Sequence, residues 1–188
     1  MNGWVKINFD GGLDSQMKLS GIGIIIRDSC GRFRAARAIH FGHLMEPVII
    51  EAMAARESLI FAQELGMQKV HIEGDSQQVV DMIQRIGDFI TSVGVLIVNL
   101  NRLKQEFVEM QASFVRRGDN SVAHAVAKNV VRGSRVCSWN PDFSIYFVRM
   151  RAPYDVFDFH CFLVLIKSLL NCGPKKKVVL FLLPCIEI

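Results

Sequence analysis

Two short apolar runs that each end on aspartate restrict the fold of this 188-residue sequence more than any other feature. In Val5-Lys6-Ile7-Asn8-Phe9-Asp10 the alternation places Val5, Ile7 and Phe9 on one strand face and Lys6, Asn8 and Asp10 on the other. Val70-His71-Ile72-Glu73-Gly74-Asp75 repeats the arrangement, with Val70 and Ile72 opposite His71, Glu73 and Asp75. Between the runs, Glu51 opens a helical stretch and shares a stripe with Ala55, Ser58 and Ala62. Small residues along that stripe let a helix lie close to a sheet and carry Glu51 with it. Singly, each acid reads as a cap or a solvated end. Together, in this order, the three read as carboxylates that converge on divalent cations.

The rest of the chain supplies a scaffold for that convergence. Residues 4–10, 21–27 and 32–41 read as an antiparallel meander, with the Asp28-Ser29-Cys30-Gly31 turn before the third strand. The continuous apolar run 21–27 fits a strand covered on both faces. Helices are expected over 49–65, 76–86, 93–108 and 120–132, and further strands over 69–74 and 110–116. Gly66 stands where a helix C-terminus needs it, and Asn120 or Ser121 serves as an N-cap for the last helix. This element order makes an α/β domain, a mixed sheet with helices on its faces.

The net charge of +4 invites a polyanion partner, but its placement weakens that argument. Residues 1–142 carry a net of only +1, and the remaining 46 carry +3. Affinity for nucleic acid then rests on local groups and bound metal rather than on a basic patch. The five cysteines (Cys30, Cys137, Cys161, Cys172 and Cys185) show no zinc spacing. Free thiols in a reducing compartment are expected, and the N-terminal MNGWVKINFDGG carries no secretory pattern, which points to nucleus or cytoplasm.

The residues of these elements resemble the ribonuclease H type 1 domain family, in the version common in plant genomes and retroelement-derived reading frames. The matching pieces are Lys6-Ile7-Asn8-Phe9-Asp10-Gly11-Gly12, then Gly21-Ile22-Gly23-Ile24-Ile25-Ile26-Arg27-Asp28 with Gly31. They continue with Glu51-Ala52, Ile72-Glu73-Gly74-Asp75-Ser76, and Phe114-Val115-Arg116-Arg117 followed by Asn120-Ser121-Val122-Ala123-His124-Ala125-Val126-Ala127-Lys128. The resemblance runs over about residues 3–141 and implies a ribonuclease H-like fold, a five-stranded mixed sheet of order 3-2-1-4-5. It implies cleavage of the RNA strand of an RNA–DNA hybrid with two Mg²⁺ ions, Mn²⁺ being an alternative. Asp10 then matches the acid that bridges both metals, and Glu51 and Asp75 match the next two.

The family's fourth acid lies four residues after an asparagine; here that spacing from Asn120 falls on His124. Imidazole is a poorer Mg²⁺ ligand than carboxylate but serves as a proton shuttle. Asp119 is a neighbouring substitute, or an N-terminal cap. For substrate, Gly11 and Gly12 allow close backbone approach to a minor groove, or form a bulge. Ser76 and Gln77 follow Asp75 as groove-contacting residues of the family do, or Ser76 is an N-cap. Arg116 and Arg117 reach phosphate or end a solvated strand. No basic protrusion is expected between residues 86 and 93.

Domain organisation is expected as a ribonuclease H-like domain over 1–141 and an apolar, non-homologous tail over 142–188. The tail's residues 159–170 are too short to span a bilayer comfortably, so membrane association is not the preferred role. An alternative to cleavage is a degenerate domain that binds nucleic acid or a protein partner.

Overall fold

The structure, a computed structural model, describes residues 3–85 and 91–131, together with the backbone of 135–139 and 147–150. Strands β1 (Trp4–Asp14), β2 (Leu19–Asp28) and β3 (Phe33–Phe41) form the antiparallel meander. Helix α1 (Pro47–Glu64) leads to β4 (Lys69–Gly74), then α2 (Gln77–Gln84), α3 (Ser92–Lys104), β5 (Glu109–Phe114) and α4 (Ser121–Val131). β4 pairs in parallel with both β1 and β5, so the five strands take the order 3-2-1-4-5. Two further strands, β6 (Arg135–Trp139) and β7 (Phe147–Met150), continue the sheet beyond β3. The outer edge of β3 offers unpaired backbone donors and acceptors, which an added strand satisfies. The expected five-stranded sheet is thus one side of a seven-stranded one, with β5 as its outer edge, and β7 comes from the segment read as tail. Helix α2, expected to reach 86, stops at Gln84, because Arg85 is already extended. The remainder of that tail, residues 86–90 and position 132, where the last helix is expected to end, lie outside the described residues.

The first strand is longer than expected. Asp10 does not end it: Gly11 and Gly12 pair with Ile22 and Gly21, and β1 runs on to Asp14. Helix α1 begins at Pro47, a residue type suited to a first helical turn, so Glu51 sits one turn inside it rather than at its start. It ends where expected, with Gly66 at φ +69° and the Gly66 and Met67 amides bonded back to Gln63 and Ala62. Helix α3 stops at Lys104, four residues short of expectation, because Val108 and Glu109 turn to bond the Gln68 carbonyl and enter β5.

Helices cover both sheet faces. Ile7, Phe9, Ile24, Ile26 and Ile72 pack beneath α1, α2 and α3 with Leu59, Val79, Ile83 and Ile97. Ile25, Ala36 and Ala38 face the opposite way, against Ala123, Val126 and Val130 of α4. Alternate residues of β2 therefore enter separate cores, as its continuous apolar run predicts. Among the described residues, no helix is long and apolar enough to cross a membrane.

Candidate metal centre

The acids come together because both helices that flank β1 rest directly on its glycines. A Cβ added at Gly11 would lie 2.7 Å from Ile50 Cγ2 and 3.1 Å from the Glu51 backbone nitrogen. That closeness sets Glu51 beside β1, where its carboxylate accepts a hydrogen bond from the Gly11 amide. On the other face, a Cβ at Gly23 would lie 2.3 Å from the Ala123 oxygen, and one at Gly12 would lie 2.8 Å from the Ala127 carbonyl. Gly23 is the β2 partner of Asp10, so α4 is seated immediately over the carboxylate. The expected small stripe on α1 is present and buried: Ala55, Ser58 and Ala62 are all fully enclosed.

Asp10, Glu51 and Asp75 converge as expected. One ligand oxygen from each lies within 4.8 Å of the others. Asp10 is 1% exposed, and Glu51 and Asp75 are half-buried. Burial, followed by the charges of Glu51 and Asp75, pushes the Asp10 carboxyl up to about 9. Burial and then Asp75 push Glu51 up to about 8, while the Gly11 amide and Arg117 pull the other way. Glu51 Oε2 is buried without a hydrogen-bond partner. A partnerless carboxylate oxygen beside two other acids lacks positive charge, and a hard divalent cation supplies it. The donor set therefore fits Mg²⁺ or Mn²⁺ and offers no soft ligand.

His124 stands at the edge of this cluster, with Nδ1 3.0 Å from Asp10 Oδ2. Burial, then the charges of Arg117 and Lys128, lower its pKa against an opposing pull from Asp75. Arg117 Nη2 lies 3.3 and 3.2 Å from the two imidazole nitrogens, so the guanidinium rests against the ring. Asp119 is exposed and stands outside the three-acid cluster.

Asn120 has a role that its reading as a cap missed. It is 1% exposed, and its Nδ2 donates to the Phe9 carbonyl at 2.8 Å and to Asp75 Oδ1 at 3.4 Å. Its Oδ1 has no partner, so it caps nothing. It ties the backbone just before Asp10 to Asp75. The only local signal was a polar residue at the start of an apolar helix, which reads equally well as a cap.

The residues expected at a duplex are more dispersed. Gly12 is buried beneath α4, and Gly11 is half-buried beside α1. Ser76 occupies the N-cap position of α2 without making a side-chain cap bond. Gln77 is exposed and donates to Asp81 Oδ1 at 2.6 Å.

This fold and this carboxylate cluster define a ribonuclease H-type domain. The chain belongs to the reverse transcriptase-like family, whose model matches residues 8–130. Solved structures share the fold. RNase H1 from the halophilic archaeon Halobacterium salinarum is 23% identical, with a TM-score of 0.63 over 69% of this chain and 98% of that one. The N-terminal RNase H domain of a Mycobacterium tuberculosis protein is 20% identical, with a TM-score of 0.64 over 71% and 96%. LC11-RNase H1, from a family member isolated from compost, was solved with an RNA/DNA hybrid; it is 20% identical, with a TM-score of 0.61 over 68% and 96%. No functionally curated protein matches the sequence significantly.

Proposed function

We propose that this chain is a metal-dependent endonuclease that hydrolyses the RNA strand of RNA–DNA hybrids. The observation that carries this reading is the convergence of Asp10, Glu51 and Asp75 around a partnerless Glu51 oxygen. Asp10, Glu51 and Asp75 would hold two divalent cations, Mg²⁺ or Mn²⁺, which when bound supply charge stabilisation and an activated water for phosphodiester hydrolysis. His124 orients Asp10 through Nδ1 and, with its pKa lowered by burial and by Arg117, accepts and passes on a proton at the edge of the site. Arg117 adds positive charge on the side where a phosphate would enter. Ser76, Gln77 and the Gly11 backbone flank the acids and would meet the minor groove, where the RNA 2′-hydroxyl distinguishes the strands. Gly12 contributes by seating α4. The hybrid bound by the compost LC11-RNase H1 supports this choice of substrate.

A second reading is a ribonuclease H-type domain that binds nucleic acid or a protein partner without cutting. One observation favours it: His124, not a carboxylate, occupies the fourth position and engages Asp10. A panel of labelled RNA–DNA hybrid, duplex DNA and duplex RNA separates the two. Cleavage of the hybrid alone in Mg²⁺ or Mn²⁺ supports the enzyme; retention of hybrid with no cleavage in either metal supports the second reading.

A further inference from the structure

A chain of buried polar contacts lies one pleat behind the carboxylates. Glu73 is 7% exposed and Asn8 3% exposed. Lys6 Nζ lies 2.9 Å from Glu73 Oε1, Asn8 Nδ2 donates to Glu73 Oε2 at 3.2 Å, and Arg27 Nη1 donates to Asn8 Oδ1 at 3.0 Å. The buried Glu73 carboxylate adds little net stability to the sheet, because burying a charge costs about what its partners return. The location of the contacts suggests what they do. Asn8 and Asp10 share a face of β1, and Glu73 and Asp75 follow the same alternation along β4.

The backbone ladder between β1 and β4 ends at the Asn8–Glu73 pair. Beyond it β1 stays with β2, where Asp10 faces Gly23, and β4 stays with β5, where Gly74 faces Phe114. The two strands part there, and Asp10 and Asp75 converge across the opening. The Asn8–Glu73 hydrogen bond is thus the direct strand-to-strand side-chain tie at the end of the ladder, with Asn120 bridging Phe9 and Asp75 from the start of α4 beyond it, and Arg27 and Lys6 fix the orientation of its two members.

We propose that Asn8 and Glu73 are positioning residues for the metal centre: their hydrogen bond sets the separation of β1 and β4 at which Asp10 and Asp75 can hold a cation together. This rests on the metal-binding reading above. Supporting groups of this kind typically change metal affinity by about 10- to 100-fold when removed.

The test uses the full chain and Mn²⁺ as probe, titrated by electron paramagnetic resonance and checked by thermal melts in chelator. The Asn8→Leu/Glu73→Leu double variant should still melt cooperatively in chelator, yet bind Mn²⁺ about 10-fold more weakly or worse. Its half-activating Mn²⁺ concentration for hybrid cleavage should rise by a similar factor with KM for hybrid unchanged. Glu73→Gln, which can still accept from Asn8, should bind Mn²⁺ nearly as the parent does. Asn8→Ser, too short to reach Glu73, gives the same reading if the double variant does not fold, and should also weaken binding. Parent-like Mn²⁺ affinity in a folded Asn8→Leu/Glu73→Leu or Asn8→Ser chain overturns this proposal alone. A parent that binds no Mn²⁺ overturns it together with the metal-binding reading.

Discussion

His124 Nδ1 lies 3.0 Å from Asp10 Oδ2, so the fourth position of the site contacts the most buried of its acids directly. The contact depends on α4 lying against backbone, since Gly23 and Gly12 leave no side chain between the helix and β1–β2. An imidazole in that place holds Asp10 without adding a fourth negative charge to carboxyls already pushed up to about 9 and about 8.

Replacing that imidazole should therefore affect chemistry more than folding. His124→Ala is expected to lower kcat for hybrid cleavage by about 100-fold or more, from the usual worth of a positioned proton-transfer group. Its melting temperature should stay close to that of the parent, because the imidazole lies at the edge of the site and in neither apolar core. Single-turnover cleavage beside a thermal melt checks both; unchanged turnover would remove His124 from the mechanism. His124→Asp should strengthen Mg²⁺ binding by supplying a hard oxygen ligand.

The metal-free chain should lose stability as pH rises. Folded values of about 9 for Asp10 and about 8 for Glu51 stand above their ordinary 3.8 and 4.5. Between about pH 4 and pH 9 the folded state binds more protons than the unfolded one, so stability falls with pH across that window. Their contribution is fully present below about pH 4 and is lost as pH passes the folded values. Melts in chelator should drop by about 5 °C or more between pH 5 and pH 8.5. Mn²⁺ should restore most at pH 8.5, where binding displaces fewest protons. A profile that is flat or rises with pH contradicts the electrostatic account of the site.

Asp10→Asn should stabilise the chelated chain at pH 8, because it removes a buried acid crowded by two others. The same substitution should abolish the rise in melting temperature that Mn²⁺ gives the parent. A lower melting temperature in chelator would show that the carboxylate supports the fold rather than burdening it.

Gly23→Ala should destabilise by about 1–3 kcal/mol, as overpacking does, because the new methyl would meet the Ala123 oxygen and the Ala127 nitrogen. Gly42→Ala, with nothing within 4 Å of the added atom, is the control and should change little. Urea midpoints for the two variants test whether α4 is held down by the absence of side chains beneath it.

Much of this was legible from local pattern. Alternation placed Asp10 on the face opposite Ile7 and Phe9, and the stripe of Ala55, Ser58 and Ala62 anticipated a helix lying close to the sheet. The Gly11-Gly12 pair misled at the level of local structure, because such a pair reads as a break when only chain flexibility is considered. In the fold it is the place where helices approach from both sides, and β1 passes through it unbroken. What sequence could not show were bonds between distant residues. Asn120 reaches Phe9 across 111 positions, and Asn8 reaches Glu73 across 65. Periodicity places Asn8 and Glu73 on the polar faces of their strands and Asn120 at a helix start, but it does not say which distant group each one meets. The two strands added beyond β3 were hidden for the same reason: edge pairing depends on backbone groups that every residue carries.

The most direct measurement is cleavage of an end-labelled RNA–DNA hybrid by the purified full chain in Mg²⁺ and in Mn²⁺, beside Asp10→Asn. Metal-dependent cutting of the RNA strand by the parent and none by Asp10→Asn is the expected result. No cutting by either protein in either metal, or equal cutting by both, would contradict it.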